Sequence, residues 1–226
     1  MSVSVAAVQQ RVPVSAPAFV RLLARLGDIG APSAGPALSE QLGQWIDWNR
    51  AIALSRVLDA APPPGSFPIQ AEGEAAACAR VRATLQTAIT CTDKPANPTG
   101  EDFAPFRRHC VDLQRSMLAS TGQLRGRLRD ALATGSSDQA RLAEVDAVME
   151  MTLSPREHAL LATTPTLLGQ HFERLKRANA EAPDDAWLPS FRRDLQDVLL
   201  AELDVRFHPI EALLAALRTS HASGTP

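Results

Sequence analysis

The side chains best suited to chemistry are arginines. Arg107 with Arg108, the trio Arg125, Arg127 and Arg129, Arg174 with Lys176 and Arg177, and Arg192 with Arg193 form four clusters in the second half of the chain. A guanidinium presents a rigid fork of N–H donors that matches phosphate oxygens, so such clusters suit contacts to a nucleic-acid backbone. The competing reading is a solvated helix face with local ion pairs. Arg108 has Asp112 four residues on, Arg193 has Asp197, and Arg141 has Glu144 three residues on, and at these spacings opposite charges meet on a helix. The stretch Arg125–Arg129 has Asp130 as its nearest acid. It is therefore the best nucleic-acid candidate, and replacing its three arginines with alanine is expected to leave the fold intact.

Other chemistry is unmarked. A di-metal site in a helical bundle needs Glu-x-x-His pairs, and none of the eleven Glu residues has His three positions later. The five His residues (109, 158, 171, 208 and 221) fall in different segments and read as surface or capping residues. Neither the phosphate cradle G-x-x-x-x-G-K-[ST] nor the nucleophile elbow G-x-S-x-G occurs. The expectation is no catalytic residue, no metal, no cofactor and no enzymatic activity. Trp45 and Trp48 lie three apart and can face the same way; Trp45 suits a core anchor and Trp48 an interface. Glu202, in an apolar string, reads either as a buried functional carboxylate or, the favoured expectation, as a residue on the polar side of its helix with Arg206 as its partner at i+4.

Helices must carry these residues. Phe103, Phe106, Cys110, Leu113 and Met117 are spaced 3, 4, 3, 4, a seam along one side of a helix. This helix is expected from Asp102 to Ala133, about 48 Å long, with Ser120, Leu124, Leu128 and Ala131 continuing the seam. Further helices are expected from Pro17 to Leu26, Ser39 to Leu58, Glu72 to Thr90, Gln139 to Asn179 and Trp187 to Arg218. Ser154-Pro155 and Thr164-Pro165 read as kinks or as restarts of consecutive helices, and His208-Pro209 as a bend. Leu142, Val145 and Met149 mark the inner face after Gln139. Ser137 or Asp138 is expected to cap that helix. The Pro- and Gly-rich stretches 60–68 and 93–100 read as breaks, the second as an internal boundary. The fold class is all-α: an elongated, mostly antiparallel helical bundle with Pro-kinked long helices in its C-terminal part. Its parts are a flexible arm (1–15), an N-terminal helical region (16–92), a long-helix bundle (101–219) and a disordered tail (220–226).

Composition narrows the function. Residues 1–102 hold 8 basic and 9 acidic residues and the remainder 15 and 16, so no basic half favours strong non-specific nucleic-acid binding. Three widely spaced cysteines without a C-x-x-C pair argue against a disulfide framework. No secretory signal and no apolar run of membrane-spanning length is read. The expected location is the cytoplasm, without direct membrane insertion.

Several strings resemble a known family: Phe19-Val20-Arg21-Leu22-Leu23-Ala24-Arg25-Leu26, Gln44-Trp45-Ile46-Asp47-Trp48, Phe103-Ala104-Pro105-Phe106-Arg107-Arg108-His109, Phe191-Arg192-Arg193-Asp194 and Leu200-Ala201-Glu202-Leu203-Asp204-Val205-Arg206-Phe207. They are similar to a proteobacterial all-helical family of unknown function, and the resemblance covers nearly the whole chain. That family is associated with gene clusters that resemble Zorya anti-phage systems, with MotA-like and OmpA/MotB-like neighbours. The resemblance implies a cytoplasmic accessory or effector subunit and carries no catalytic residues. The expected function is therefore helical protein–protein interaction with a partner from the same cluster, with self-association left open. The alternative is a nucleic-acid-binding subunit that uses the arginine faces of residues 107–129 and 174–193 on DNA.

Overall fold

The computed structural model describes residues 18–27, 38–60, 71–91, 102–181 and 186–222. Among them the chain forms α1 (Ala18–Gly27), α2 (Leu38–Trp45), α3 (Trp48–Asp59), α4 (Ala71–Thr90), α5 (Ala104–Ala133), α6 (Ser137–Leu161), α7 (Thr164–Ala178) and α8 (Leu188–Ala222). No strand occurs among the described residues. The all-α bundle read from the sequence is the observed fold. The expected arm at 1–15, the break at 93–100 and most of the connector at 60–68 lie outside the described residues. At the C-terminus α8 continues to Ala222, three residues into the expected tail.

The 3-4 seam explains α5. Phe106, Cys110, Leu113, Met117, Leu124, Leu128 and Leu132 are all buried. Thr121, not Ser120, takes the place between Met117 and Leu124; its hydroxyl donates to the Met117 carbonyl at 2.8 Å. That bond satisfies a polar atom that burial would otherwise leave unpaired. Pro105 sits in the first turn, where its missing N–H costs nothing, and Asp102 Oδ1 accepts from Ala104 N at 2.9 Å.

Helices α5 and α8 form the centre of the bundle, and α4 and α6 pack against both. Phe106 lies beside Phe191 and Gln114 beside Glu202, so the two central helices run parallel. They can do so because α6 and α7 intervene in the chain. Helices α5 and α6 run antiparallel: Arg125 meets Asp146 near the α5–α6 turn, and Gln114 reaches the Leu161 carbonyl far from it. That turn is closed by Ser136, not Ser137 or Asp138. Ser136 accepts from Gln139 N at 3.3 Å while Gln139 Oε1 accepts from Ser136 N at 2.9 Å, a capping box. Gln139 also donates to the Ala216 carbonyl at 2.9 Å, which ties the turn to α8.

Helices α1 and α4 share this core. Phe19, Leu26, Cys78, Leu85 and Ile89 belong to the same buried cluster as Met117, Phe191 and Leu203. An aromatic group closes one end, where Phe172 meets Trp187 at 4.8 Å and Phe191 at 5.1 Å, both edge-to-face. That geometry sets positive ring edges on negative faces.

Three further expectations about helix ends and faces are revised. The helix expected over Ser39–Leu58 divides before Asp47, whose carboxylate accepts from Arg50 N at 2.9 Å and starts α3. Pro155 restarts nothing: α6 runs through it, as α8 runs through Pro209. Proline at 155 leaves the Met151 carbonyl without its helical donor, and Arg50 Nη2 approaches that oxygen at 3.4 Å. Thr164-Pro165 does start a new helix. On α6 the buried positions are Gln139, Ala140, Ala143, Val148, Thr152 and Leu161, not Leu142, Val145 and Met149.

Candidate functional site

The arginine trio on α5 is not a free basic face. Arg125 Nε and Nη2 donate to the two carboxylate oxygens of Asp146 at 2.8 and 2.7 Å. Arg129 bonds Glu150 and also reaches Asp146. Arg127 donates to Glu74 of α4 at 2.8 and 3.0 Å. Its neutralising acids come from other helices, which proximity in sequence does not reveal. A signal was available: Arg125 stands ten residues before Gly135 and Asp146 eleven after it, so an antiparallel hairpin turning there brings them level. The pairs Arg108–Asp112 and Arg193–Asp197 do not form. Asp112 instead meets Arg115 at 3.3 Å, and Arg193 Nε points to the Pro189 carbonyl at 3.4 Å.

Glu202 is also relocated. It is 0% exposed, because it lies on the side of α8 that faces the packed helices, whereas Asp204, His208 and Glu211 form the exposed polar side. Arg206 is indeed its partner, through Nε and Nη2 to Oε1 at 3.0 and 2.8 Å. Gln114 Nε2 donates to Oε2 at 2.8 Å and to the Leu161 carbonyl at 3.0 Å. Arg206 Nη1 also lies 3.6 Å from Glu157 on α6. Burial raises the Glu202 carboxyl above its ordinary range, Glu157 adds to the rise, and the bonds from Gln114 and Arg206 oppose it. Such a network fixes the register of three helices, since each buried donor and acceptor has one satisfying position. Beside it a cleft of about 280 Å³ is lined by Gln114, Arg115, Leu118, His158, Leu161 and Arg206, among others.

The remaining basic candidates are split. Arg107, Arg174 and Arg177 line one groove of about 670 Å³ between the start of α5 and α7, with Phe103 and Glu173. Gly169 belongs to it: a Cβ there would stand 2.9 Å from the Phe103 ring. Arg108 and Arg193 are exposed, Lys176 and Arg192 are half-buried, and none of the four lines the groove. His171 binds Asp194 at 2.8 Å, and Arg25 approaches the same carboxylate at 3.5 Å, which joins α1, α7 and α8. No feature of the sequence reading pointed to that contact. Among the described residues no group of three or more His, Cys, Asp or Glu is placed to hold a metal ion.

The tryptophans part company. Trp45 is half-buried, with the Arg156 guanidinium 5.1 Å from its ring, a cation–π contact. Trp48, on the next helix, is 79% exposed. Helix α3 has no buried residue at all, although it packs along α6. Met151 and Leu160 of α6 are 58% and 70% exposed. No described helix is long and apolar enough to cross a membrane.

Comparison with known families gives one match. The family model described as "Protein of unknown function (DUF3348)" covers residues 5–219. The chain belongs to this family. The family's extent takes in every helix from α1 to α7 and nearly all of α8, so the bundle and both surface features lie within it. No curated protein and no solved structure matches the chain.

Proposed function

We propose that the chain is a non-enzymatic accessory subunit that acts by docking a helical partner protein. The observation that carries this reading is α3. This helix packs along α6 with Ile52, Leu54 and Val57 only half-buried, has no fully buried side chain and exposes Trp48 and Leu58. A helix normally draws its stability from burying an apolar face. A helix without a fully buried residue that presents a tryptophan, packed along α6 where Met151 is also exposed, is suited to bury that face in a complex. Tryptophan is also the residue type most enriched at interface hot spots. The occupant is an amphipathic helix laid along α3 and α6. The sequence resemblance implies the setting: a cytoplasmic subunit of a Zorya-like anti-phage assembly, without insertion into the membrane.

The test is co-purification with the neighbouring gene products after nuclease treatment. Trp48→Asp should weaken capture at least thirtyfold, the scale of a hot-spot residue, and leave thermal unfolding unchanged. Full capture by that variant, in high salt, would remove α3 from the interface. The alternative, a nucleic-acid-binding subunit that uses arginine faces, loses support from Arg125, Arg127 and Arg129, whose charges are paired within the bundle. It keeps support from the groove at Arg107.

A further inference from the structure

The groove between α5 and α7 gathers three arginines without a carboxylate partner among the described residues into one concavity. Arg82, Arg125, Arg127, Arg129 and Arg206 each reach a carboxylate on another helix. Arg107, Arg174 and Arg177 reach none among the described residues, although all three line one concavity. Glu173 is the single acid among its lining residues, so the groove carries an excess of two positive charges. Like charges that converge without compensation repel one another, and a bound anion relieves that repulsion.

The shape narrows the anion. Arg174 and Arg177 lie three apart on α7 and so share a face, while Arg107 approaches from α5. The lining runs along α7 from Pro165 to Arg177, about 18 Å, which is longer than one phosphate needs. Phe103 adds a half-buried ring to the same wall. Its position is set from behind by Phe172 and Phe191, at 5.6 and 6.2 Å. Guanidinium forks beside an aromatic surface are the elements that hold an unpaired nucleotide strand.

We propose that this groove binds the phosphates of nucleotides, as a single-stranded nucleic acid laid along α7. Arg107, Arg174 and Arg177 hold phosphate oxygens, and Phe103 contacts a sugar or base. The inference stands apart from the docking surface on α3, and either can fail without the other.

Fluorescence anisotropy with a labelled oligothymidylate of about twelve nucleotides tests it, with AMP as a second probe. Three phosphate contacts predict a slope of about −2 for log K against log salt. The triple variant R107Q/R174Q/R177Q should bind at least tenfold more weakly, with a slope near zero. Its circular dichroism and thermal unfolding should match the native chain, since none of the three arginines makes an internal ion pair. Arg115→Gln, outside the groove, should bind like the native chain. Arginine-dependent binding of AMP without the oligonucleotide would keep the phosphate site and identify a free nucleotide as its source. No binding of either probe would overturn the proposal. So would an unchanged slope in the triple variant, or an equal loss in Arg115→Gln.

Discussion

Arg125 sets Nε and Nη2 against both oxygens of Asp146, at 2.8 and 2.7 Å, in a site where the two side chains are 14% and 13% exposed. A bidentate pair so nearly closed to water behaves differently from a surface pair, because removing one partner strands a poorly solvated charge. Arg125→Ala should therefore lower the unfolding free energy by about 2–3 kcal/mol, measured by urea denaturation. This replaces the expectation that the Arg125–Arg129 trio can be truncated freely. A loss below about 0.5 kcal/mol would place the pair with exposed ones.

Glu202 makes stability depend on pH in a definite direction. Its carboxyl is raised in the folded state above the ordinary value of 4.5. The folded chain then holds a proton at pH values where the unfolded chain has released it. The charged form accordingly costs stability at neutral pH, and the cost is recovered as pH falls through the folded value toward 4.5. Glu202→Gln should remove this part of the profile and flatten the stability curve above pH 4.5. A profile identical to that of the native chain would show that Glu202 titrates as it does when unfolded.

Two glycines should respond differently to alanine. Gly126 lies in α5 with open space where a Cβ would stand, so Gly126→Ala should gain about 0.5–1 kcal/mol from helix propensity. At Gly169 the same atom would meet the Phe103 ring at 2.9 Å. That ring is backed by Phe172 and Phe191 and has little room to move, so Gly169→Ala should lose most or all of the gain. Thermal unfolding of the two variants separates them; equal gains would mean that Phe103 yields freely.

Thiol reactivity should be confined to Cys91. It is exposed, whereas Cys78 and Cys110 are buried. Burial raises the Cys78 thiol, with Glu74 adding to the effect, and burial pushes Cys110 up to about 12. Only a thiolate reacts readily. Titration with a disulfide reagent should give one fast thiol per native chain and three in denaturant. A second fast thiol would indicate local opening of α4 or α5.

Helix existence was legible because it depends on periodicity within about twenty residues. The seam from Phe106 to Met117 and the stripe through Phe191, Leu195 and Leu199 needed no partner to be recognised, and both are buried. Helix ends were less legible. Asp47 divides a stripe that reads as continuous, because a side chain that caps one helix competes with the pattern that would extend the other.

What the sequence determined alone was the set of rods and the side of each that must turn inward, since apolar spacing and backbone sterics act locally. What only the tertiary structure decided was which charges are spent. Arg125 and Arg129 find carboxylates one hairpin away, Arg127 finds Glu74 on α4, and Glu202 is enclosed because α8 lies at the centre. Arg107, Arg174 and Arg177 are left uncompensated in one groove. Coulomb energy depends on distance through space, and the chain order of residues does not encode that distance until the helices have packed.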